Sequence, residues 1–463
     1  MSHHPALAAV SPQAPLTDMF FEDYHHNGAL TQGYFTSYPI FGIPRPAPTP
    51  DHWWLPAFLR LDSLSQPDDY RWQLSLGAVS TFGRRFYPGN TLWRDITAHP
   101  NYDAFWQNRS AVRPLRGVTA AVLVVGGWFD GEDLYGPFAV ARALRRNNPG
   151  ARVSMVVGPF GHRGWTQTGS ARTMIGKLYF GDSLALRYQR EVEAPFFRGH
   201  LKSEGAGPPP DALMFDTGRK AWRTFANWPA AAQQQRFYFH TDGTLSRVRP
   251  EPASALRQYV SDPRTPVPTG CEGPTLTDFT HYMADNQRCF DGRPDVLTFQ
   301  SDVLTEDLTV AGPISASLRV SISGTDADFV VKLIDVYPMS GDSTVGDPTA
   351  PAELAGYQQL VRGEIMPGRF RNSFARPAPF RPDQAQTVTV ALQDVLHTFR
   401  RGHRLMVQVQ SSWFPMFARN PQTYFANQHT APAASYKPIT VRVSTGGGDA
   451  SAVDLPIIRG GRG

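Results

Sequence analysis

No stretch of about eighteen apolar residues occurs in the chain, so the sequence offers no transmembrane helix. The start, Met1-Ser-His-His-Pro-Ala-Leu, lacks the basic opening and apolar stretch of a secretory leader. As written, the chain is expected to stay in the cytoplasm. Charge is also scarce. Only 18% of residues are Asp, Glu, Lys or Arg, and the net charge is +5 over 463 residues. The basic residues are scattered, with Arg145-Arg146 and Arg400-Arg401 the nearest approach to a patch. That distribution argues against a nucleic-acid surface. There are two cysteines, Cys271 and Cys289. They are either one disulfide, in an oxidising compartment, or two thiols. No Cys/His spacing resembles a zinc site, and the adjacent doublets His3-His4 and His25-His26 do not converge on one ion. Neither a metal nor a cofactor is expected.

Turn formers and aromatics, by contrast, are plentiful. The chain has 40 Gly, 41 Pro and 12% aromatic residues. This composition favours turn-rich β structure over a helical bundle. The length implies two or three domains. No repeat of fixed period occurs, and the glycine-rich tail is the one low-complexity stretch.

Leu7–Ser11 is a short apolar run stopped by Pro12, read as a buried strand. Residues 30–116 are irregular, aromatic and proline-rich, which suits a cap of short helices. Ala120–Val125 then forms a continuous apolar run, as a strand buried on both faces should. Gly136-Pro137 opens a helix to about Arg146. Arg152–Val157 is a second buried strand. Strand, helix and strand make a crossover, so the two strands should be parallel. A longer helix is expected over Ser183–Leu201, and Pro208–Pro210 marks a boundary. Beyond it the period becomes two. Ile314, Ala316, Leu318, Val320 and Ile322 alternate with polar residues. So do Val388, Val390 and Leu392, then Leu405, Val407 and Val409, then Ile439, Val441 and Val443. Phe329–Val336 is nearly all apolar. Such strands, separated by Gly/Pro turns, predict a β-sandwich of jelly-roll type.

Function in parallel α/β sheets gathers beyond the carboxyl ends of the strands. The first strand of the crossover delivers Asp130, Glu132 and Asp133, and the second delivers His162. Acid then histidine is the order of the last two triad members in α/β-hydrolases. His162 would be the general base and Asp130 its orienting acid.

The pattern Asp130-x-Glu132-Asp133 followed by Gly158-Pro159-x-x-His162 resembles the α-amino-acid ester hydrolases. These group with cocaine esterase and the X-prolyl dipeptidyl peptidases. His99-Pro100-x-Tyr102-Asp103-Ala104-Phe105-Trp106 resembles the cap of that family. The stretches 328–335 and 402–415 resemble its jelly roll. The resemblance implies a fold of class α/β + β: an α/β-hydrolase core with a helical cap, then a C-terminal β-sandwich. Residues 1–30 and 117–207 would be core, 31–116 cap and 208–463 jelly roll. It also implies a carboxylate cluster for the α-ammonium group of the substrate. Glu132 and Asp133 match two members, and Asp23, in Glu22-Asp23-Tyr24, matches a third. The implied substrates are small amino-acid esters, amides or peptides, cleaved through an acyl-enzyme. Complete relatives are often periplasmic or secreted.

That chemistry needs a serine on a glycine-framed elbow, and no G-x-S-x-G stands in the chain. His4-Pro5-Ala6-Leu7 resembles the segment just after the family's nucleophile helix. The expectation is therefore a chain inactive alone, missing its serine and oxyanion donors. Such a chain would be completed by an upstream-encoded N-terminal fragment, and prone to self-association through an uncovered sheet edge. Gly181-Asp182-Ser183-Leu184 spells the nucleophile block of another esterase class, and Asp394-x-x-His397 mimics its terminal pair. That block should open the fold, however, and here it follows a complete crossover. Ser183 is expected to cap its helix instead. Two other readings stand beside the hydrolase. One is a non-catalytic protein holding an amine or a glycan. The other is a cocaine-esterase-like or glutaryl-acylase-like hydrolase, against which the Glu132-Asp133 pair argues, since it would repel a carboxylate-bearing acyl chain.

Overall fold

The structure is a computed structural model describing residues 4–50, 56, 68–169, 171–202, 204, 209–251, 254–271, 281–340 and 354–458. Pro208 of the expected boundary, residues 459–463 of the glycine-rich tail, and 51–55 and 57–67 of the expected cap lie outside these.

Five strands form the first sheet, in chain order: β1 Ala9–Val10, β2 Ala121–Gly127, β3 Val153–Gly158, β4 Ala212–Asp216 and β5 Ala221–Phe225. The first four are parallel and β5 is antiparallel to β4. Every residue of β2 and β3 is buried, which is why both read as unbroken apolar runs. The crossover helix Tyr135–Asn147 buries Phe138, Val140, Ala141 and Leu144. β1 is shorter than the expected Leu7–Ser11 and only half-buried, because Leu7 lies at the surface and Pro12 cannot donate to a neighbour. Among the described residues β1 pairs with β2 alone. Beside it lies an apolar cavity of about 400 Å³, whose walls include Leu7, Val10, Leu16, Leu115, Val122 and Leu144.

The helix expected over Ser183–Leu201 is broken. Leu184–Tyr188 and Ala194–Lys202 are α-helical, with a π turn over Gln189–Glu193 between them. Pro195 carries no N–H to donate back into this turn, which accounts for the interruption. The 30–116 region holds short helices, as expected, including Asp69–Ser75, Thr91–Ala98 and Ala104–Gln107. No helix of the described residues is long and apolar enough to cross a membrane.

Two larger antiparallel sheets, of seven and four strands, make the sandwich, and two two-stranded hairpins complete the described strands. Leu308–Ile322 is the longest strand, and the alternating residues Ile314 to Ile322 point into the core between the sheets. Asp328–Val336 departs from alternation for a physical reason. Phe329, Val331 and Leu333 join the sandwich core, while Val330 and Ile334 join the core built on the first sheet. Both faces of that strand are therefore covered. Cys271 and Cys289 are joined as a disulfide.

Candidate active site

Two turns leave the carboxyl ends of β2 and β3 side by side. Trp128 N–H donates to the Gly158 carbonyl at 2.9 Å, and Phe129 N–H to the Phe160 carbonyl at 3.0 Å. The approach is close enough that a Cβ on Gly127 would lie 2.2 Å from the Phe160 oxygen, so only glycine fits. Trp128 is buried and donates from its indole to the Phe215 carbonyl at 2.8 Å. The chain then turns back on Asp130, whose Oδ1 accepts the N–H groups of Glu132 at 3.1 Å and Asp133 at 3.0 Å. Aspartate suits this local turn because its short side chain reaches backbone donors two and three residues on. The turn brings all three acids to one place.

His162 meets them from β3. Its Nδ1 lies 3.2 Å from Asp130 Oδ2 and 3.5 Å from both Glu132 Oε2 and Asp133 Oδ2. Asp130 is buried and the His162 side chain is 32% exposed. The fourth acid arrives on a separate loop. Asp23 adopts a left-handed backbone, φ 66°, and its N–H donates to the Glu132 carbonyl at 3.3 Å. Glu22 fixes this loop. Its buried carboxylate accepts the Thr17 N–H and hydroxyl, the Asp18 N–H, and, at 2.7 Å, the Gly136 N–H at the start of the crossover helix. A carboxylate at a helix N-terminus is well placed electrostatically. The structure thus brings together all five residues singled out in the sequence: Asp23, Asp130, Glu132, Asp133 and His162.

So many carboxylates in a half-closed site resist ionisation. Burial, then the charge of Glu132, pushes Asp23 up to about 7, against an opposing hydrogen bond from Tyr34. Burial, then the charges of Asp23 and Asp130, pushes Asp133 up to about 9. Glu132 is raised by burial, with His162 opposing. For His162, burial disfavours the charged ring, but the hydrogen bond and charge of Asp130 outweigh it and its pKa is raised. One carboxylate oxygen, Asp133 Oδ1, is buried without a hydrogen-bond partner. An orphaned acceptor among like charges is costly unless a cation meets it. Asp130, Asp133 and His162 offer ligand atoms within 4.8 Å of one another and are the described residues able to hold a metal ion; the same arrangement suits an organic ammonium.

Ser183 is not part of this cluster. It precedes the helix Leu184–Tyr188 with φ 51°, and its side chain makes no capping hydrogen bond, contrary to the expected cap. The left-handed backbone explains this, since an N-cap needs extended geometry to aim its oxygen at the first turn. Asp394 and His397 are occupied elsewhere. Asp394 pairs with Arg142 and accepts the Trp228 indole N–H at 2.8 Å, and His397 lies between Asp335 and Thr217. Sequence reasoning missed the hairpin His25–His26/Ala29–Leu30 that carries the Asp23 loop. Its signal was the dipeptide Asn27-Gly28, whose φ values of 50° and 81° make the tight hairpin turn.

Residues 1–164 match the family described as X-Pro dipeptidyl-peptidase (S15 family), and residues 204–454 match the X-Pro dipeptidyl-peptidase C-terminal non-catalytic domain. A solved aminopeptidase from the marine sediment archaeon Thaumarchaeota archaeon is 34% identical with a TM-score of 0.86, covering 98% of this chain and 73% of its own. A solved α-amino acid ester hydrolase is 32% identical with a TM-score of 0.86 and the same coverage. Cocaine esterase of Rhodococcus sp. (strain MB1 Bresler) is 31% identical over 349 residues, 71% of this chain and 55% of that protein. The chain therefore spans about half the length of the curated relatives it matches.

Proposed function

The chain belongs to the X-Pro dipeptidyl-peptidase (S15) family, and from that premise we propose that it supplies the acid, the base and the amine pocket of a serine hydrolase. The substrates are small esters, amides or peptides whose acyl part carries a free α-amino group. His162 takes the proton of a serine hydroxyl as that oxygen attacks the acyl carbonyl, then returns it to the leaving group. Asp130 holds the imidazole and stabilises its charged form. Water then cleaves the acyl-enzyme by the same relay. Asp23, Glu132 and Asp133 hold the substrate ammonium. At an effective dielectric of 20, each carboxylate about 4 Å from an ammonium contributes up to ~4 kcal/mol before desolvation.

The observation that carries this reading is the cluster itself: four carboxylates against one histidine, with Asp133 Oδ1 buried and unpartnered. An ammonium satisfies that oxygen and relieves the mutual repulsion. The names of the two structural relatives, an aminopeptidase and an α-amino acid ester hydrolase, agree with a substrate bearing a free amine. A carboxylate-bearing acyl chain would be repelled.

The nucleophile and the oxyanion donors come, in this proposal, from an N-terminal segment of the same family type. No G-x-S-x-G lies within the chain. The segment pairs with the outer edge of β1 and fills the apolar cavity beside it. Covering apolar surface contributes roughly 25 cal/mol per Å². The greater length of the relatives supports such a segment.

Binding by the chain alone tests the amine pocket. Phenylglycine amide, titrated while the ring resonances of His162 are followed, should bind, and its N-acetyl analogue should not. Glu132→Gln with Asp133→Asn should abolish the difference. Equal behaviour of the two ligands would remove the ammonium reading. The chain should also leave phenylglycine methyl ester at the buffer rate, and hydrolysis lost on Ser183→Ala would overturn the assignment of the nucleophile to another segment.

A further inference from the structure

The two loops that carry the acids end against one strand of the sandwich. Arg362 and Glu364 lie two apart on Gln358–Pro367, so both side chains leave the same face of the strand. Both are buried, at 4% and 2% exposure. Arg362 Nη1 donates to the carbonyl of Trp128 at 3.1 Å, two residues ahead of Asp130. Glu364 accepts His26 Nδ1–H at 3.0 Å, three residues beyond Asp23. Its remaining capacity takes the Ile365 N–H at 2.9 Å and the Gln393 amide at 2.7 Å. The Asn27 amide adds a bond to the Ile365 carbonyl at 3.0 Å. Alternate positions on one strand thus hold both loops.

Simple adhesion between domains does not require this chemistry. Buried charged groups are expensive, and an apolar contact of similar volume is often as stable. Arg362 leaves Nε without a hydrogen-bond partner while its Nη1 holds the Trp128 carbonyl. What charged, directional groups give that apolar packing does not is a fixed distance. Apart from this strand, the Asp23 loop is tied to the Asp130 turn by the 3.3 Å backbone hydrogen bond from Asp23 to Glu132, and to the helix that follows the turn by the Glu22 carboxylate on the Gly136 N–H at 2.7 Å. Displacement of about 1 Å in such a site is enough to cost roughly 100-fold in rate.

We propose that Arg362 and Glu364 are positioning residues for the active site: the sandwich strand sets the spacing between the acid of His162 and the amine pocket. The domain matched as non-catalytic thereby governs selectivity without touching substrate. The proposal rests on the reading of Asp23, Glu132 and Asp133 as an ammonium site.

Arg362→Lys and Glu364→Gln, made in the full chain, test it. Each variant is first compared with the parent by near-ultraviolet circular dichroism and thermal melting. Two readouts then follow: the affinity for phenylglycine amide, and the downfield Nδ1–H proton of His162 bonded to Asp130. Both folded variants should lose roughly 10-fold or more in affinity. The Nδ1–H signal of Arg362→Lys should weaken, although neither substituted residue hydrogen-bonds to His162. If Arg362→Lys does not fold, Glu364→Gln, which preserves shape, decides. Folded variants with parental affinity and a parental His162 signal would overturn the proposal. If the parent chain itself fails to bind phenylglycine amide, the ammonium reading has failed, and the His162 signal alone still judges the positioning role.

Discussion

Asp133 concentrates the chemistry of the site in one side chain. Buried beside Asp23 and Asp130, its carboxyl is pushed up to about 9 from an ordinary 3.8. The folded state therefore keeps a proton that the unfolded chain releases, and this group makes stability fall as pH rises between about 4 and about 9. Asp133→Asn removes that slope. The variant should gain on the parent as pH is raised from 5 to 8, by roughly 1–3 kcal/mol at the upper end. Urea melts at the two pH values measure it, and parallel pH dependences would show that Asp133 ionises freely. Binding follows the opposite trend. An ammonium favours the ionised acids, so the affinity for the charged form of the ligand should strengthen as pH climbs through about 7, where Asp23 gives up its proton. At this scale the clustering of these side chains was legible. Asp130, Glu132, Asp133 and His162 lie within a few residues of two strand ends, where sequence order fixes spatial order. Arg362 and Glu364 were not, because their partners Trp128 and His26 are more than two hundred residues away and no local pattern joins them.

Among the elements, burial on both faces or one decides what a sequence reveals. Ile314 to Ile322 alternate because one side of their strand faces the sandwich core. Phe329–Val336 does not, because its strand lies between two cores, and the apolar run announced this without saying what covered it. The break at Gln189–Glu193 escaped notice although Pro195 was in view, since a π turn absorbs the missing donor without ending the helix. The cysteines left pairing open, because an even count does not distinguish one bond from two thiols. Their union links positions 18 apart in sequence and anchors the short turn Gln287–Phe290, whose Gln287 accepts the buried Lys332 ammonium at 2.9 Å. Non-reducing peptide mapping should recover Cys271 linked to Cys289. Reduction should lower stability by roughly 2–4 kcal/mol. Two alkylatable thiols in protein made under oxidising conditions would contradict this.

At the scale of the whole molecule, the chain is an α/β-hydrolase-like sheet joined to a C-terminal sandwich, with His162 and the acids Asp23, Asp130, Glu132 and Asp133 gathered beyond the strand ends of that sheet. As proposed, catalysis needs a serine delivered to His162 by a segment pairing with the edge of β1. The most direct measurement is kcat/KM of the chain combined with an N-terminal family segment carrying the elbow serine, for phenylglycine methyl ester and for its N-acetyl analogue. The charged ester should be preferred by roughly 100-fold or more, given several carboxylates facing one ammonium. Neutralising Glu132 and Asp133 should collapse that ratio, and His162→Ala should abolish turnover of both. An assembled enzyme that hydrolyses the two esters equally well would contradict the account.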